Sequence, residues 1–201
     1  MRKSTLAIIG ITCLFNIALW SVFNRPESPE PGWQGMFNYV SFSPYQKDQD
    51  PIENKFPAPE EIWDDLNFLK GKTKGIRTYS SLDGMEVIPG MATRLGYEVT
   101  AGAWLDGRYE RNEDEIYNLI ANAQRYPATI KRVIVGNEAV YRGDLSVQEM
   151  IGYLDRVRAA LRVPVGTAEP WHVFVKNPEL VKHVDFIAIH VLPYWEKVPF
   201  N

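Results

Sequence analysis

An amide and a carboxylate stand side by side at the end of a short apolar run, and they are the residues best suited to do chemistry. Residues 133–135 read Val-Ile-Val, which predicts a strand buried on both faces, and Gly136 ends the run. Asn137 and Glu138 follow at once. A carboxyl group with a raised pKa acts as general acid on a glycosidic oxygen, and an adjacent amide can hydrogen-bond the sugar 2-hydroxyl. The pair therefore indicates sugar chemistry, although a lone strand-end Glu is more often a salt-bridge or capping residue.

Strands and helices alternate along the chain, and these elements must position the pair. Short apolar runs predict strands at residues 36–42, 75–79, 97–105, 133–135, 163–169 and 184–192. Between these runs, apolar residues recur at helical spacing. Capping-box patterns are formed by Asn112 with Glu115 and by Ser146 with Glu149. This order predicts an α/β fold with right-handed crossovers. A doubly wound sheet is the alternative, but no glycine-rich phosphate loop follows the first strand. We therefore expect a (β/α)8 TIM-barrel type, with about six of its eight βα units present before the chain stops at Asn201.

Polar and aromatic side chains recur where the predicted strands end, which is the catalytic rim of a barrel. They are Tyr39, Tyr79, Trp104, Asp106, Asn137, Glu138, Glu169, His190 and Tyr194. Tyr79, Trp104, Tyr194 and the neighbouring Trp195 present ring faces that suit pyranose rings, with simple hydrophobic packing as the competing interpretation. Asp106 can bind hydroxyl groups, or it can be a solvated partner of Arg108. His190 lies on an apolar strand, where a core histidine is more common than a ligand.

Composition excludes several other functions. A net charge of −3 and a pI near 5.7, without a basic stripe, argue against a nucleic-acid partner. Cys13 is the one cysteine, and His172 and His183 show no metal-ligand spacing with His190, so we expect no metal and no cofactor. Residues 71–73 read Gly-Lys-Thr, but the first glycine of a phosphate loop is missing.

The first residues of the chain differ from the rest. Arg2 and Lys3 precede residues 4–23, which carry no charge and are long enough to cross a hydrocarbon core. We expect residues 1–23 to be a single-pass transmembrane signal-anchor with its N-terminus in the cytoplasm, and a cleaved signal peptide is the alternative. A Pro-rich linker follows at residues 24–33, and residues 34–201 form the globular part, expected in the periplasm or outside the cell.

Several motifs together resemble glycoside hydrolase family 17, the β-1,3-glucanases and β-1,3-glucosyltransferases, most of all its bacterial, membrane-attached members. The resemblance covers nearly all of the globular part. Its most specific motif is Val-Ile-Val-Gly-Asn-Glu at residues 133–138. Weaker motifs lie at residues 37–45, 76–80, 101–106 and 190–195.

The resemblance implies a (β/α)8 barrel and a retaining mechanism on β-glucan, with Glu138 as proton donor and later general base. It places Asn137, Tyr39, Tyr79, Trp104, Asp106, His190, Tyr194 and Trp195 at the substrate. The family carries its second carboxylate, the nucleophile, on the seventh strand. No such motif occurs here, and Glu169 and Glu196 lie on neighbouring segments instead of across the barrel.

We therefore expect the N-terminal, membrane-anchored portion of a retaining β-1,3-glucan hydrolase or transglycosylase, truncated before the seventh strand and inactive as 201 residues. The alternatives are a non-catalytic glucan-binding or assembly membrane protein and a truncated product that does not fold stably.

Overall fold

The computed structural model describes residues 3–25, 35–192 and 195, and these divide into two units, Met1–Gly35 and Met36–Asn201. In the first unit, helix α1 spans Lys3–Phe23. Its segment Ser4–Phe23 has a mean hydropathy of 2.2, so it is long and apolar enough to cross a membrane, as a signal sequence also is. The predicted apolar segment is thus one continuous helix.

The second unit is a parallel sheet with a helix after most strands. Its helices are α2 Pro59–Phe68, α3 Ile88–Leu95, α4 Tyr109–Arg125, α5 Val147–Ala160 and α6 Trp171–Lys176. Its strands are β1 Phe37–Ser41, β2 Thr73–Arg77, β3 Glu98–Ala103, β4 Ile130–Asn137, β5 Val165–Pro170 and β6 Phe186–His190. Short 3-10 turns lie at Pro51–Glu53, Met85–Val87 and Leu180–His183.

The six strands pair in chain order, β1-β2-β3-β4-β5-β6, and each pair is parallel. Consecutive strands are neighbours in a (β/α)8 barrel, whereas a doubly wound sheet reverses its strand order at a switch point. The predicted barrel-type α/β class with six strands is therefore confirmed, and the doubly wound alternative is excluded for the described residues.

The helices cover one face of the sheet with apolar side chains. Ile62 and Leu66 of α2, Leu119 of α4 and Leu154 of α5 are fully buried, and Val133 of β4 belongs to the same core. Each such side chain contributes roughly 1.5–3 kcal/mol through removal of its surface from water. This core anchors the carboxyl ends of the strands, where the polar residues gather.

One of the two predicted capping boxes is correct. Ser146 accepts a hydrogen bond from the backbone N–H of Glu149, whose carboxylate accepts the N–H of Ser146 at 2.7 Å. The other is wrong, because α4 already begins at Tyr109, so that Asn112 and Glu115 lie inside the helix and are fully buried. Their side chains bind loops of the sheet instead.

Candidate active site

Glu138 is presented by an irregular end of β4. Gly136 has a φ of +75°, a conformation that favours glycine, and a Cβ added there would lie 2.5 Å from Cε of Met150, whose side chain would have to move. Glu138 itself has a φ of +58°, a conformation that costs a non-glycine residue about 1–2 kcal/mol. Its backbone N–H donates to the carbonyl of Ala168 at 2.7 Å, which holds the turn in place. Strain of this kind is typical of functional positions.

Asn137 contacts an arginine two strands away. Its Oδ1 accepts a hydrogen bond from Nη2 of Arg77, the last residue of β2, at 2.7 Å. Burial lowers the pKa of Arg77, but a guanidinium still keeps its charge at any ordinary pH. The same guanidinium lies 4.6 Å from the ring centre of Tyr79. Arg77 was not predicted as a site residue, although a charged residue at the end of an otherwise apolar strand is a usable signal.

Glu138 contacts a histidine two strands away in the other direction. Its Oε1 lies 2.5 Å from Nδ1 of His190, the last residue of β6. The interpretation of His190 as a core histidine is wrong, since the side chains of β6 are only half-buried or exposed and its imidazole faces the carboxyl group. The contacts of Asn137 and Glu138 thus run across one face of the sheet, from β2 to β6.

A cleft of about 1130 Å³ lies beyond the carboxyl ends of β1 to β3. Three of the predicted binding residues, Tyr79, Trp104 and Asp106, line it. Its charged lining consists of three ion pairs, which are Arg108–Asp106, Arg111–Asp83 and Arg142–Asp144. In the first pair, the hydrogen bonds from Arg108 hold the pKa of Asp106 below its usual range. Every charge of the cleft lining is therefore balanced by a partner of opposite sign.

Arg142 connects this cleft to the segment of Glu138. Its guanidinium carbon lies 4.5 Å from the ring centre of Trp104, a cation–π arrangement. The same group donates to the carbonyl of Leu105 at 2.9 Å and to the carbonyl of Asn137. One side of the Trp104 ring is therefore fixed by the loop after β4, a link that the sequence did not indicate.

One predicted site residue, Tyr39, stands apart from this group. Tyr39 lies in the middle of β1 instead of at its end, and its hydroxyl donates to Oε2 of Glu98 at 2.5 Å. Burial and this hydrogen bond raise the pKa of Tyr39 to about 12. Its register partner Gly75 precedes Arg77 by two residues, so Tyr39 lies nearer the amino end of the sheet. Tyr194 falls outside the described residues, and Trp195 is 75% exposed.

Glu169 was considered as a second reactive carboxylate, but its hydrogen bonds indicate a structural role. It is fully buried, and its two oxygens accept the backbone N–H groups of Val140 and Tyr141 at 2.9 and 3.1 Å. Burial raises its pKa. Glu169 thus secures the segment directly after Glu138. Glu196 lies outside the described residues. The described residues contain no group of three or more potential metal ligands, and the absence of a metal stays a prediction.

Comparison with known proteins shows the family to which the chain belongs. The family model described as the BtgE/BtgC glycoside hydrolase domain matches residues 39–201. The glucan 1,3-beta-glucosidase BGL2 of Candida albicans is 27% identical over 151 residues, which cover 66% of this chain and 48% of that protein. The probable glucan endo-1,3-beta-glucosidase btgC of Aspergillus terreus is 25% identical over 185 residues, covering 84% of this chain and 28% of that protein.

Solved structures agree with these relatives. The crystal structure of a glycoside hydrolase family 17 β-1,3-glucanosyltransferase from Rhizomucor miehei aligns with a TM-score of 0.67 and 26% identity, over 80% of this chain and 59% of that one. An active-site mutant of the same enzyme in complex with laminaritriose aligns with a TM-score of 0.65 and 27% identity, with the same coverage. The chain spans about half the length of the curated relatives BGL2 and its homologues.

Proposed function

Because the chain belongs to the BtgE/BtgC glycoside hydrolase domain family, within glycoside hydrolase family 17 as its motifs predicted, we propose that it forms the acid–base half of a retaining site that hydrolyses or transfers β-1,3-glucan. The observation that carries this proposal is the row of contacts Arg77–Asn137 and Glu138–His190 at the carboxyl ends of the strands. The row lies on the catalytic rim of the barrel class.

Glu138 is the proposed proton donor. In a retaining reaction it protonates the glycosidic oxygen while a second carboxylate attacks the anomeric carbon, and the leaving sugar departs as an alcohol. Glu138, now ionised, then removes a proton from water or from an acceptor hydroxyl, whose oxygen attacks the anomeric carbon and displaces the second carboxylate. His190 holds one oxygen of the Glu138 carboxyl group, so that the other oxygen is the one we assign to the substrate. Asn137, fixed by Arg77, is proposed to bind the sugar 2-hydroxyl.

The attacking carboxylate must lie about 5–5.5 Å from Glu138. The family resemblance assigns it to a seventh strand, and the six described strands supply Glu138 and its partners. Glu169 is an unsuitable nucleophile because both of its oxygens already accept backbone N–H groups.

The cleft supports a neutral, polyhydroxylated substrate. Its three arginines are each paired with an aspartate, so an anionic sugar would find no unpaired cation among the described lining residues. Paired charges still offer donors and acceptors to vicinal hydroxyl groups. Tyr79 and Trp104 supply the apolar ring faces that the C–H faces of glucose require. The laminaritriose bound by the Rhizomucor miehei mutant is a ligand of this chemistry.

Trp104→Ala tests the proposed binding surface. We expect its dissociation constant for laminaritriose to rise about tenfold, equal to about 1.4 kcal/mol, because one stacking face and the packing of Arg142 are lost. Isothermal titration calorimetry measures this. Tyr117→Ala, an exposed aromatic of α4 that is outside the cleft lining, is the control and should leave binding unchanged. Equal affinity of Trp104→Ala and wild type contradicts the assignment, and binding without product release supports the non-catalytic alternative.

Helix α1 is the proposed membrane anchor. The segment Ser4–Phe23 carries no charge, and Arg2 and Lys3 before it favour a cytoplasmic N-terminus with the barrel unit on the other side. We expect the full chain to stay in the membrane pellet after carbonate extraction and deletion of residues 1–23 to move the protein to the soluble fraction. Loss of the same residues from the mature wild-type chain, seen by N-terminal sequencing, would instead identify a cleaved signal peptide.

A further inference from the structure

Glu115 is a fully buried carboxylate that the proposed acid–base chemistry does not use. It lies in the second turn of α4 and points toward the loops at the carboxyl end of the sheet. Its Oε1 accepts the hydroxyl of Ser80 at 2.5 Å, and its Oε2 accepts the backbone N–H of Ser81 at 2.7 Å. The backbone N–H of Trp104 also faces this carboxyl group and acts to lower its pKa. One side chain therefore lies against two separate loops.

These two loops carry the aromatic walls of the cleft. Tyr79 directly precedes Ser80 in the loop after β2, and Trp104 begins the loop after β3. The loops also meet directly, since Ser81 Oγ donates to the carbonyl of Gly102 at 2.8 Å. A Cβ on Gly102 would lie 2.4 Å from the carbonyl oxygen of Thr78, so the two backbones touch there. Glu115 of α4 binds Ser80 and Ser81 next to this contact.

The carboxyl group of Glu115 is buried, although its ionised form is better solvated by water. Burial raises the pKa of Glu115 to about 7, although the hydrogen bonds and Arg111, one helical turn earlier, act in the opposite direction. Two further titratable groups belong to the same cluster: Asp83 pairs with Arg111, and Tyr45 has a pKa that Glu115 helps to raise. An apolar residue would fill the same space without this cost, which points to a role for the carboxyl oxygens themselves.

We propose that Glu115 is a positioning residue for the glucan cleft: its carboxyl group fixes the loop of Tyr79 relative to the loop of Trp104 and so sets the spacing of the two stacking surfaces. The inference rests on the proposed function for the identity of the ligand. The fixing of the loops can be measured without any ligand.

Amide hydrogen exchange on the full chain in detergent tests the positioning itself. In Glu115→Ala, we expect exchange to become at least tenfold faster in residues 80–83 and 104–106, because the N–H of Ser81 loses its acceptor and the N–H of Trp104 loses the carboxyl group that faces it. Leu119→Ala is the matched control, since it removes a fully buried side chain that makes no hydrogen bond from the next turn of α4. It should lower the melting temperature at least as much, with loop exchange within twofold of wild type.

Laminaritriose titration tests the consequence for binding. We expect Glu115→Ala to raise the dissociation constant about tenfold, Leu119→Ala to leave it within twofold, and Glu115→Gln, which keeps one acceptor oxygen, to restore most of the affinity. If Glu115→Ala does not fold, Ser80→Ala removes one of the hydrogen bonds and should speed loop exchange by a smaller factor. The proposal is overturned if Glu115→Ala and Leu119→Ala change loop exchange and laminaritriose affinity equally. It is also overturned if the loops exchange at the wild-type rate in Glu115→Ala or Ser80→Ala. A wild type that does not bind laminaritriose overturns the proposed function, while the exchange result still decides the positioning role.

Discussion

In a form of the protein that also carries the second carboxylate, Glu138→Gln lowers kcat for laminarin hydrolysis or transfer by roughly 10³-fold, the size expected for loss of a general acid–base residue. The amide has the shape of the carboxyl group but cannot donate a proton to the leaving oxygen or remove one from the acceptor. Its contacts to the ground-state sugar change little, so the dissociation constant for laminaritriose should stay within about threefold. Steady-state kinetics combined with calorimetry separates the two effects.

Two further measurements make the Glu138 result specific. A glucoside with a good aryl leaving group needs little protonation, so the Gln variant should form the glycosyl–enzyme on it much faster than on laminarin. Azide, which attacks without base assistance, should then restore turnover and yield a β-glycosyl azide. Glu110→Gln, an exposed glutamate in the first turn of α4, is the control and should behave as wild type. Full activity of Glu138→Gln on laminarin would remove Glu138 from the mechanism.

The part of the site that the sequence predicted depends on local pattern. Val133 and its neighbours mark a buried strand, Gly136 ends its apolar run, and a carboxylate that follows a parallel strand lies on the catalytic rim whatever its detailed geometry. For the same reason Trp104 and Asp106 were expected to lie at a strand end and do line the cleft. Tyr39 was misplaced although the bounds of its strand were predicted to within one residue, because it lies in the middle of that strand and only residues at the strand end reach the rim.

The contacts that give the site its shape join residues that are far apart in the sequence, so no local pattern predicts them. Arg77 and Asn137 are 60 residues apart, and Glu138 and His190 are 52 residues apart. Their pairing requires the strand order and curvature of the sheet. The capping error at Asn112 and Glu115 has a related cause, because the same spacing serves a helix start or, within a helix, two polar side chains on one face. Only the sheet loops that lie against that face decide between the two.

Glu115 also predicts how the stability of the protein depends on pH. Its pKa is about 7 in the folded state and 4.5 as the reference value, so between these values the folded state binds more protons than the unfolded state. The free energy of unfolding contributed by Glu115 therefore falls as pH rises through this window. The full change is about 3 kcal/mol, since each pKa unit corresponds to about 1.4 kcal/mol.

Glu115→Gln removes the ionisable carboxyl group and should therefore remove its contribution to the pH dependence of the free energy of unfolding. We expect the free energy of unfolding of Glu115→Gln, minus that of wild type, to increase by about 3 kcal/mol between pH 4.5 and pH 8, measured by urea titration with tryptophan fluorescence in the same detergent. The comparison cancels groups that titrate equally in both proteins. Glu113→Gln is the control, because Glu113 is an exposed glutamate on the same helix as Glu115 and pairs with Arg156 of α5. The difference in unfolding free energy between this variant and wild type should not rise with pH. A flat difference for Glu115→Gln would mean that Glu115 ionises as it does in water. The carboxylate would then hold the cleft loops without opposing the stability of the fold.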